Sequence, residues 1–308
     1  MQIFSNFDDL DQFEQDSVVA IGNFDGLHLG HQKILNFLLN KASEKNLISL
    51  VLTFSPHPGK ITGKGQIKLL QTLEQKIESI KALGVQAVFT LPFTREFANL
   101  STEYFINKIL IKTLNARAVI VGDNFRFGKN RTGNISTLKS QPTPNNLKIY
   151  IIPSVSVNTM TISSSLIRHL IQKGDIKKAN LLLGKRYELQ GEIIKGYSRG
   201  TALGFPTANI NTENDITPFG VFLTSVILNN REFPSLTNIG KCPTFQQKNI
   251  NIETHIINFK SDIYREKIKI LFLEKLRDEI KFESSDKLSK QIQKDLQTAR
   301  KYFNLNYS

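Results

Sequence analysis

The sequence predicts an α/β domain with a parallel sheet, followed by an antiparallel β-barrel and a terminal helix. Three observations predict it. Between residues 18 and 155, short apolar runs alternate with segments of helical periodicity, as in strands covered on both faces by helices. Beyond Gly184 that periodicity nearly vanishes, and strand-like runs follow one another across turn residues, as in an antiparallel barrel. From Ser285 onward, Leu288, Ile292 and Leu296 recur at helical spacing. A chain of 308 residues has room for two domains, and the change in texture places them at 1–184 and 185–308.

The elements of the first domain follow in order. Strands are expected at 18–21, 48–54, 87–91, 116–121 and 148–155. The helix over 33–41 presents Ile34, Leu35, Leu38 and Leu39 on one face. The helix over 73–83 opens with Thr72 and Gln75 in capping-box spacing and stops at Gly84. A third, over 102–114, has Ser101 or Thr102 to cap it and Glu103 in its first turn, where a negative charge suits the helix dipole. Two more helices end at Gly174 and Gly184. In the second domain strands are expected at 187–194, 220–228, 250–259 and 267–273, with a closing helix over 285–303.

Ligands on parallel sheets bind at the carboxyl ends of the strands, and the informative residues cluster there. The first strand runs into Gly22-Asn23-Phe24-Asp25-Gly26-Leu27-His28-Leu29-Gly30-His31 and then a helix. Glycines admit a ligand close to backbone, and the orphan N–H groups of a first helical turn attract anions. His28 and His31, three apart, share one side of that turn. Taken alone, the pair also suits ordinary core histidines or a weak metal site, and the glycines a mere turn. Thr53-Phe54-Ser55-Pro56-His57-Pro58 ends the second strand as a rigid turn. Gly122-Asp123-Asn124-Phe125-Arg126-Phe127-Gly128 ends the fourth, and Ile162-Ser163-Ser164-Ser165-Leu166-Ile167-Arg168 opens a later helix.

In the second domain, Leu203-Gly204-Phe205-Pro206-Thr207-Ala208-Asn209 stands out. Thr207 and Asn209 face the same way in an extended chain, and their oxygens suit a hard cation that bridges ATP phosphates. By itself, Thr-x-Asn is an ordinary strand edge with polar side chains. Gly191, Lys195, Gly196 and Gly200 frame it upstream, and Glu253-Thr254-His255-Ile256 follows.

Composition excludes several classes. Hydrophobic content of 40% with 22% charged residues describes a globular protein, and no apolar run is long enough to cross a bilayer. The acidic N-terminal segment lacks a signal peptide's order, so a cytoplasmic protein is expected. A single cysteine, Cys242, excludes an internal disulfide and a cysteine-based metal cluster. The net charge of +13 comes from scattered lysines without a block, which favours anionic small substrates over a nucleic-acid partner. The Gly-x₄-Gly-Lys-Ser/Thr loop of P-loop kinases and the protein-kinase motifs are missing.

The glycine–histidine stretch closely resembles the His-x-Gly-His signature of the nucleotidyltransferase superfamily, in the form seen in bacterial bifunctional riboflavin kinase/FAD synthetases. The segments 122–128 and 162–168 match the same family. In the second half, the Pro-Thr-Ala-Asn core, Pro218-Phe219-Gly220, Asn238-Ile239-Gly240-Lys241-Cys242-Pro243-Thr244-Phe245, the Glu253 segment, Leu276-Arg277-Asp278-Glu279 and Gln291-Ile292-x-x-Asp295 resemble the riboflavin kinase domain nearly end to end.

The resemblance implies a Rossmann-like nucleotidyltransferase domain with a parallel sheet, then a riboflavin kinase barrel. The barrel would make FMN from riboflavin and ATP; the first domain would make FAD and pyrophosphate from FMN and a second ATP. For adenylyl transfer it implies ATP contacts from Gly22, Phe24, Asp25, Gly26, His28, His31, Asn124, Ser163, Ser164 and Arg168, with the flavin beside Pro56, His57, Pro58 and Phe125. For the kinase it implies ATP contacts from Gly191, Lys195, Gly196, Gly204, Pro206, Thr207 and Asn209, magnesium (Mg²⁺) on Thr207 and Asn209, Glu253 as base, and Arg277 at the flavin. Many members carry a basic residue where this chain has Thr161. That departure leaves open a monofunctional enzyme; the positive charge leaves open an RNA-binding protein on the same scaffold. The expected partners are riboflavin, FMN and ATP, with no nucleic acid and no membrane; the oligomeric state is unknown.

Overall fold

The structure, a computed structural model, describes residues 1–10, 13–63, 67–140, 147–196, 204–241 and 250–305. Gly200 and the Cys242–Phe245 part of its motif (242–245) lie outside the described residues. The chain forms two compact units, Met1–Lys68 with Thr72–Ser164, and Leu69–Gln71 with Ser165–Ser308.

The first unit is built on a six-stranded sheet of order β1-β4-β3-β2-β5-β6, parallel throughout. Its strands are β1 (Gln2–Phe4), β2 (Ser17–Ile21), β3 (Ile48–Ser55), β4 (Ala87–Pro92), β5 (Ala116–Gly122) and β6 (Lys148–Ile152). Only β1 escaped the sequence, being a three-residue edge strand too short for a pattern. The strands read as unbroken apolar runs because both faces are buried. Val19, Ile21, Leu50, Leu52, Phe89 and Val121 pack one face against Phe105, Ile106, Ile109 and Leu110. Val18, Ala20, Val51, Val88 and Ile120 pack the other against Leu35 and Leu38 of α1 (Leu29–Lys45). After β2 the chain steps outward through β3 to β4, then returns to lay β5 on the opposite side of β2. That reversal puts a crevice at the carboxyl ends of β2 and β5.

Helices α2 (Pro58–Ile61), α3 (Leu73–Ala82), α4 (Arg95–Ala98) and α5 (Thr102–Tyr104) follow. The Thr72/Gln75 capping box of α3 forms in both directions, 3.2 and 2.8 Å. The third expected helix is different in kind: beyond α5 the turns widen into a π-helix, Phe105–Thr113, closed by Leu114 N–H on Ile109 O at 3.0 Å. After α6 (Ile135–Ser140), a small hairpin pairs β7 (Ser156–Val157) with β8 (Met160–Thr161), and Thr161 stands exposed on it.

The second unit takes in most of α7 (Ser164–Lys173), then α8 (Ile176–Leu183) and a closed antiparallel barrel of order β10-β13-β12-β11-β14-β9. Its strands are β9 (Tyr187–Ile194), β10 (Ala208–Thr212), β11 (Gly220–Leu228), β12 (Arg231–Lys241), β13 (Ile250–Ile256) and β14 (Lys267–Arg277). Strands β10 and β12 had no counterpart in the sequence reading. Inside the barrel, Thr224 Oγ1 lies 2.8 Å from both Ser235 Oγ and Thr237 Oγ1, and Thr237 Oγ1 lies 2.9 Å from Thr254 Oγ1. All four hydroxyls are buried. The outer face of β11 and β12 is covered by α9 (Ser285–Tyr302), whose Leu296 and Ala299 meet Leu223 and Leu236.

Two candidate active sites

In the first unit, the turn after β2 is shaped by left-handed backbone at Phe24 (φ 48°), Gly26 (φ 83°) and Leu27 (φ 45°). The Phe24 ring folds back over Gly22, where a Cβ would stand 3.1 Å from it. Gln32 Nε2 donates to Leu27 O at 2.9 Å, and Ser164 Oγ to the carbonyl of Asp25 at 2.9 Å. The start of α7 is thereby tied to the glycine turn. Lys76 is buried at 5% exposure, the one basic side chain buried among the described residues. Its Nζ reaches Thr53 Oγ1 at 3.4 Å, and that hydroxyl donates to Asn23 O at 3.2 Å.

His28 caps α1: its Nδ1 accepts from His31 N–H at 3.3 Å. The two imidazoles stack with centroids 3.6 Å apart and planes 14° apart, and Phe24 meets His31 edge-on. Burial pushes the His28 pKa down to about 4. Burial, then the neighbouring His28 and Lys76, hold His31 well below its ordinary value. Both rings are therefore neutral near pH 7, supplying hydrogen bonds rather than charge. His31 Nδ1 is buried without a hydrogen-bond partner among the described residues. Desolvation pulls the Lys76 ammonium down as well, and Asp25, 1% exposed, opposes it. Lys76 was missed because a helical lysine reads as solvated; its place four residues before the core residue Ile80 was the available signal.

The other predicted residues of this unit lie on turns at the same end of the sheet. Asp123, beside Asn124, accepts from Ser154 N–H and Oγ at 2.9 and 2.8 Å, which lowers its pKa. Phe125 stacks on Phe127 at 5.5 Å, and Phe127 meets Phe105, joining rings Phe97, Phe93 and Phe54. Next to Phe54, His57 Nδ1 caps α2, between Pro56 and Pro58, by accepting from Gly59 N–H at 3.1 Å. Ser163 precedes α7, Ser164 begins it, and Arg168 falls in the part that belongs to the second unit.

In the barrel, the pairing register assembles a polar face. Asn209 of β10 and Asn238 of β12 stand opposite Glu253 of β13 on either side. Their neighbours Ile210, Thr254, Thr237 and Ile239 are buried, so all three side chains point outward. Thr207, just ahead of β10, shares the parity of Asn209. Gly196 lies against Asn209: a Cβ there would be 1.9 Å from Nδ2. Asn251 Nδ2 donates to Glu253 Oε1 at 2.9 Å. His255, which carried no assigned role in the sequence, shares 2.8 Å with Pro206 O; a carbonyl only accepts, so Nδ1 carries the proton. Burial keeps that imidazole below its ordinary pKa.

The remaining kinase residues are placed differently. Gly191 is small because a Cβ would fall 2.2 Å from Asn211 O of the adjacent strand. Lys195 is exposed, and Gly204 has φ +84° with open space around it. Arg277 is engaged on three nitrogens: Nε and Nη2 reach Asp295 Oδ2 at 3.0 and 2.8 Å, and Nη1 donates to Asp278 O at 3.0 Å. Gln291 Nε2 holds the other carboxylate oxygen of Asp295 at 2.9 Å. The Arg277 and Gln291-Ile292-x-x-Asp295 motifs thus meet as one clamp on α9.

Two family models match the chain, FAD synthetase over residues 10–166 and riboflavin kinase over 183–303. Among curated relatives, a bifunctional riboflavin kinase/FMN adenylyltransferase of Buchnera aphidicola is 37% identical, spanning 99% of this chain and 100% of its own. Proteins of the same name from Bacillus subtilis and Haemophilus influenzae are 37% and 36% identical, over 93% and 99% of this chain and 92% and 100% of theirs. A crystal structure described as a macrolide-efflux protein from Streptococcus pneumoniae superposes with TM-score 0.88 at 28% identity, covering 100% of both chains.

Proposed function

We propose a division of labour within a chain that belongs to the bifunctional riboflavin kinase/FMN adenylyltransferase family, and so phosphorylates riboflavin to FMN and adenylylates FMN to FAD. The register that sets Glu253 beside Asn209 carries the reading of the kinase site. Glu253 takes the proton of the terminal ribityl hydroxyl as its oxygen attacks the γ-phosphorus of ATP and ADP leaves. Asn251 fixes one oxygen of that carboxylate and leaves the other for substrate. No cluster of three His, Cys, Asp or Glu suited to a metal occurs among the described residues. Thr207 and Asn209, with two neutral oxygens, would hold a magnesium ion, which would neutralise charge developing on the triphosphate. His255 positions this pair through the Pro206 carbonyl, and Gly196 leaves room for it. Lys195 and Gly204 border the nucleotide.

In the first domain the nucleophile is the FMN phosphate, mostly dianionic at neutral pH, so no carboxylate base is required. It attacks the α-phosphorus of ATP and pyrophosphate leaves. His28 and His31 donate to the reacting phosphate from the start of α1, with Gly22, Gly26 and Asn124 lining the crevice and Ser163, Ser164 and Arg168 assigned to the phosphates. Phe24 and Asp25 brace the turn. The aromatic chain from Phe54 to Phe125, beside the Pro56–Pro58 turn (56–58), receives the flavin. Arg277, held by Asp295, serves the flavin by anchoring α9 beside the site rather than by direct contact. We place the functional boundary at 184/185, because the phosphate segment continues to Arg168.

Separate incubations with riboflavin and with FMN, each with ATP and Mg²⁺, with FMN formed from riboflavin and FAD formed from FMN resolved by chromatography, test the division. His28→Ala should cut FAD synthesis about 10²–10³-fold, the usual loss for one transition-state donor, and leave FMN formation intact. Glu253→Gln should do the reverse. Equal loss of both activities in either variant would sink the assignment.

A further inference from the structure

Among the described residues the barrel strands carry two buried side-chain acceptors without a hydrogen-bond partner, Gln190 Oε1 and Asn238 Oδ1, and the second stands beside Glu253. Asn238 Oδ1 is buried and has no hydrogen-bond partner among the described residues. Such an acceptor costs free energy unless something else satisfies it. The neighbouring Asn251 is not in the same position, because its amide is spent on Glu253.

The register says where the atom sits. Asn209, Glu253 and Asn238 occupy directly opposed positions on three adjacent strands and share the outer face. Cross-strand side chains of this kind stand about 4.5–5.5 Å apart. The two amides and the carboxylate therefore form a line with Glu253 in the middle. Beyond Asn238 comes Val221 of β11, which offers no donor.

Phosphoryl transfer has a direction. The attacking and leaving oxygens lie on opposite sides of the phosphorus. With Asn209 at the phosphate end and Glu253 at the attacking hydroxyl, Asn238 falls on the side of the alcohol. That alcohol is the tip of a polyol chain whose next hydroxyl is one carbon away. A carboxamide oxygen requires a donor, and a hydroxyl supplies one.

We propose that Asn238 is a specificity-determining residue of the kinase site, accepting a hydrogen bond from the ribityl 4′-hydroxyl, next to the one that is phosphorylated. The proposal rests on the reading of Glu253 as the base. Asn238 would then both select a substrate with that hydroxyl and hold the reacting carbon in line.

The test compares riboflavin with 4′-deoxyriboflavin as substrates of the full-length enzyme, Asn238→Leu and Asn238→Asp, reading kcat/KM. The wild type should prefer riboflavin about 10- to 100-fold, the cost of leaving a buried acceptor unpaired. Asn238→Leu should lose a similar factor on riboflavin and discriminate less than about threefold, having no acceptor left to strand. Asn238→Asp keeps an acceptor and should keep the preference, which guards against a leucine variant that fails to fold. A wild type that treats both substrates alike overturns the proposal. So does an Asn238→Leu enzyme that keeps full discrimination, or an aspartate variant that loses it. Glu253→Gln, run alongside, reports on the base separately: it should slow both substrates by the same factor with discrimination unchanged. Full activity in that variant would sink the base assignment without touching the measured discrimination.

Discussion

At the scale of residues, charge is concentrated where the sequence did not suggest it. His28 and His31 were legible as a pair, because strand, glycines and helix start surround them. Their stacking and neutrality were not, since both follow from burial. The buried cation is Lys76, from a helix seventy-odd positions along the chain (residue 76) that pattern reading gives to solvent. Lys76→Met should remove a buried cation that Asp25 favours electrostatically, and so lower the stability of the first unit, as read by thermal unfolding. The histidines also set a pH dependence. A folded pKa below the unfolded 6.5 means that the unfolded chain takes up the proton first, so the contribution is complete above pH 6.5 and disappears as pH falls through about 4. His28 alone accounts for on the order of 3 kcal/mol over that window. Melting of the first unit against pH should show this slope, and a His28→Gln chain should show less of it.

At the scale of elements, the parallel strands were legible and two of the six barrel strands were not. Buried strands between helices announce themselves as apolar runs. Strand β12 contains Pro234 and Gly240, which read as turn residues. Pro234 is tolerated because the β12–β13 ladder begins one residue later, at Ser235. At Gly240 the tip of the exposed Glu279 carboxylate lies 2.0 Å from where a Cβ would be, so any side chain there would have to displace it. Strand β10 hides behind Asn209 and Asn211, which depress any strand pattern. The π-helix has the apolar spacing of an α-helix, and nothing in the structure explains the wider turn. The clamp on α9 joins two motifs that looked separate. Arg277→Ala strands the buried Asp295, and should lower the barrel's stability by about 3–5 kcal/mol. Asp295→Asn keeps one oxygen to accept from Arg277 but turns an NH2 toward the Gln291 amide, and should cost less than Arg277→Ala in the same denaturation experiment.

At the scale of the whole molecule, the net charge of +13 acts on some substrates and not others. ATP and FMN are anions; riboflavin is neutral. Screening over a Debye length of about 10 Å at 0.1 M salt should therefore raise KM for ATP and FMN as salt increases, leaving KM for riboflavin nearly unchanged. A parallel rise for all three would remove charge from the account. The change in periodicity at Gly184 predicts two domains, whereas the compact units of the structure part earlier, at Ser164/Ser165. Less legible was that α8 packs on the barrel, where Asn180 bridges Phe272 O and Tyr187 N–H at 2.8 and 2.7 Å. The hydroxyls inside the barrel have a last consequence. Thr224 and Thr237 hold one proton each yet take part in three contacts, so Ser235 or Thr254 must point its own proton inward. The four rotors are then geared together. Thr237 precedes Asn238, and Thr254 follows Glu253, on the same stretches of backbone. The same two strands thus carry the hydroxyl network on one face and Asn238 and Glu253 on the other.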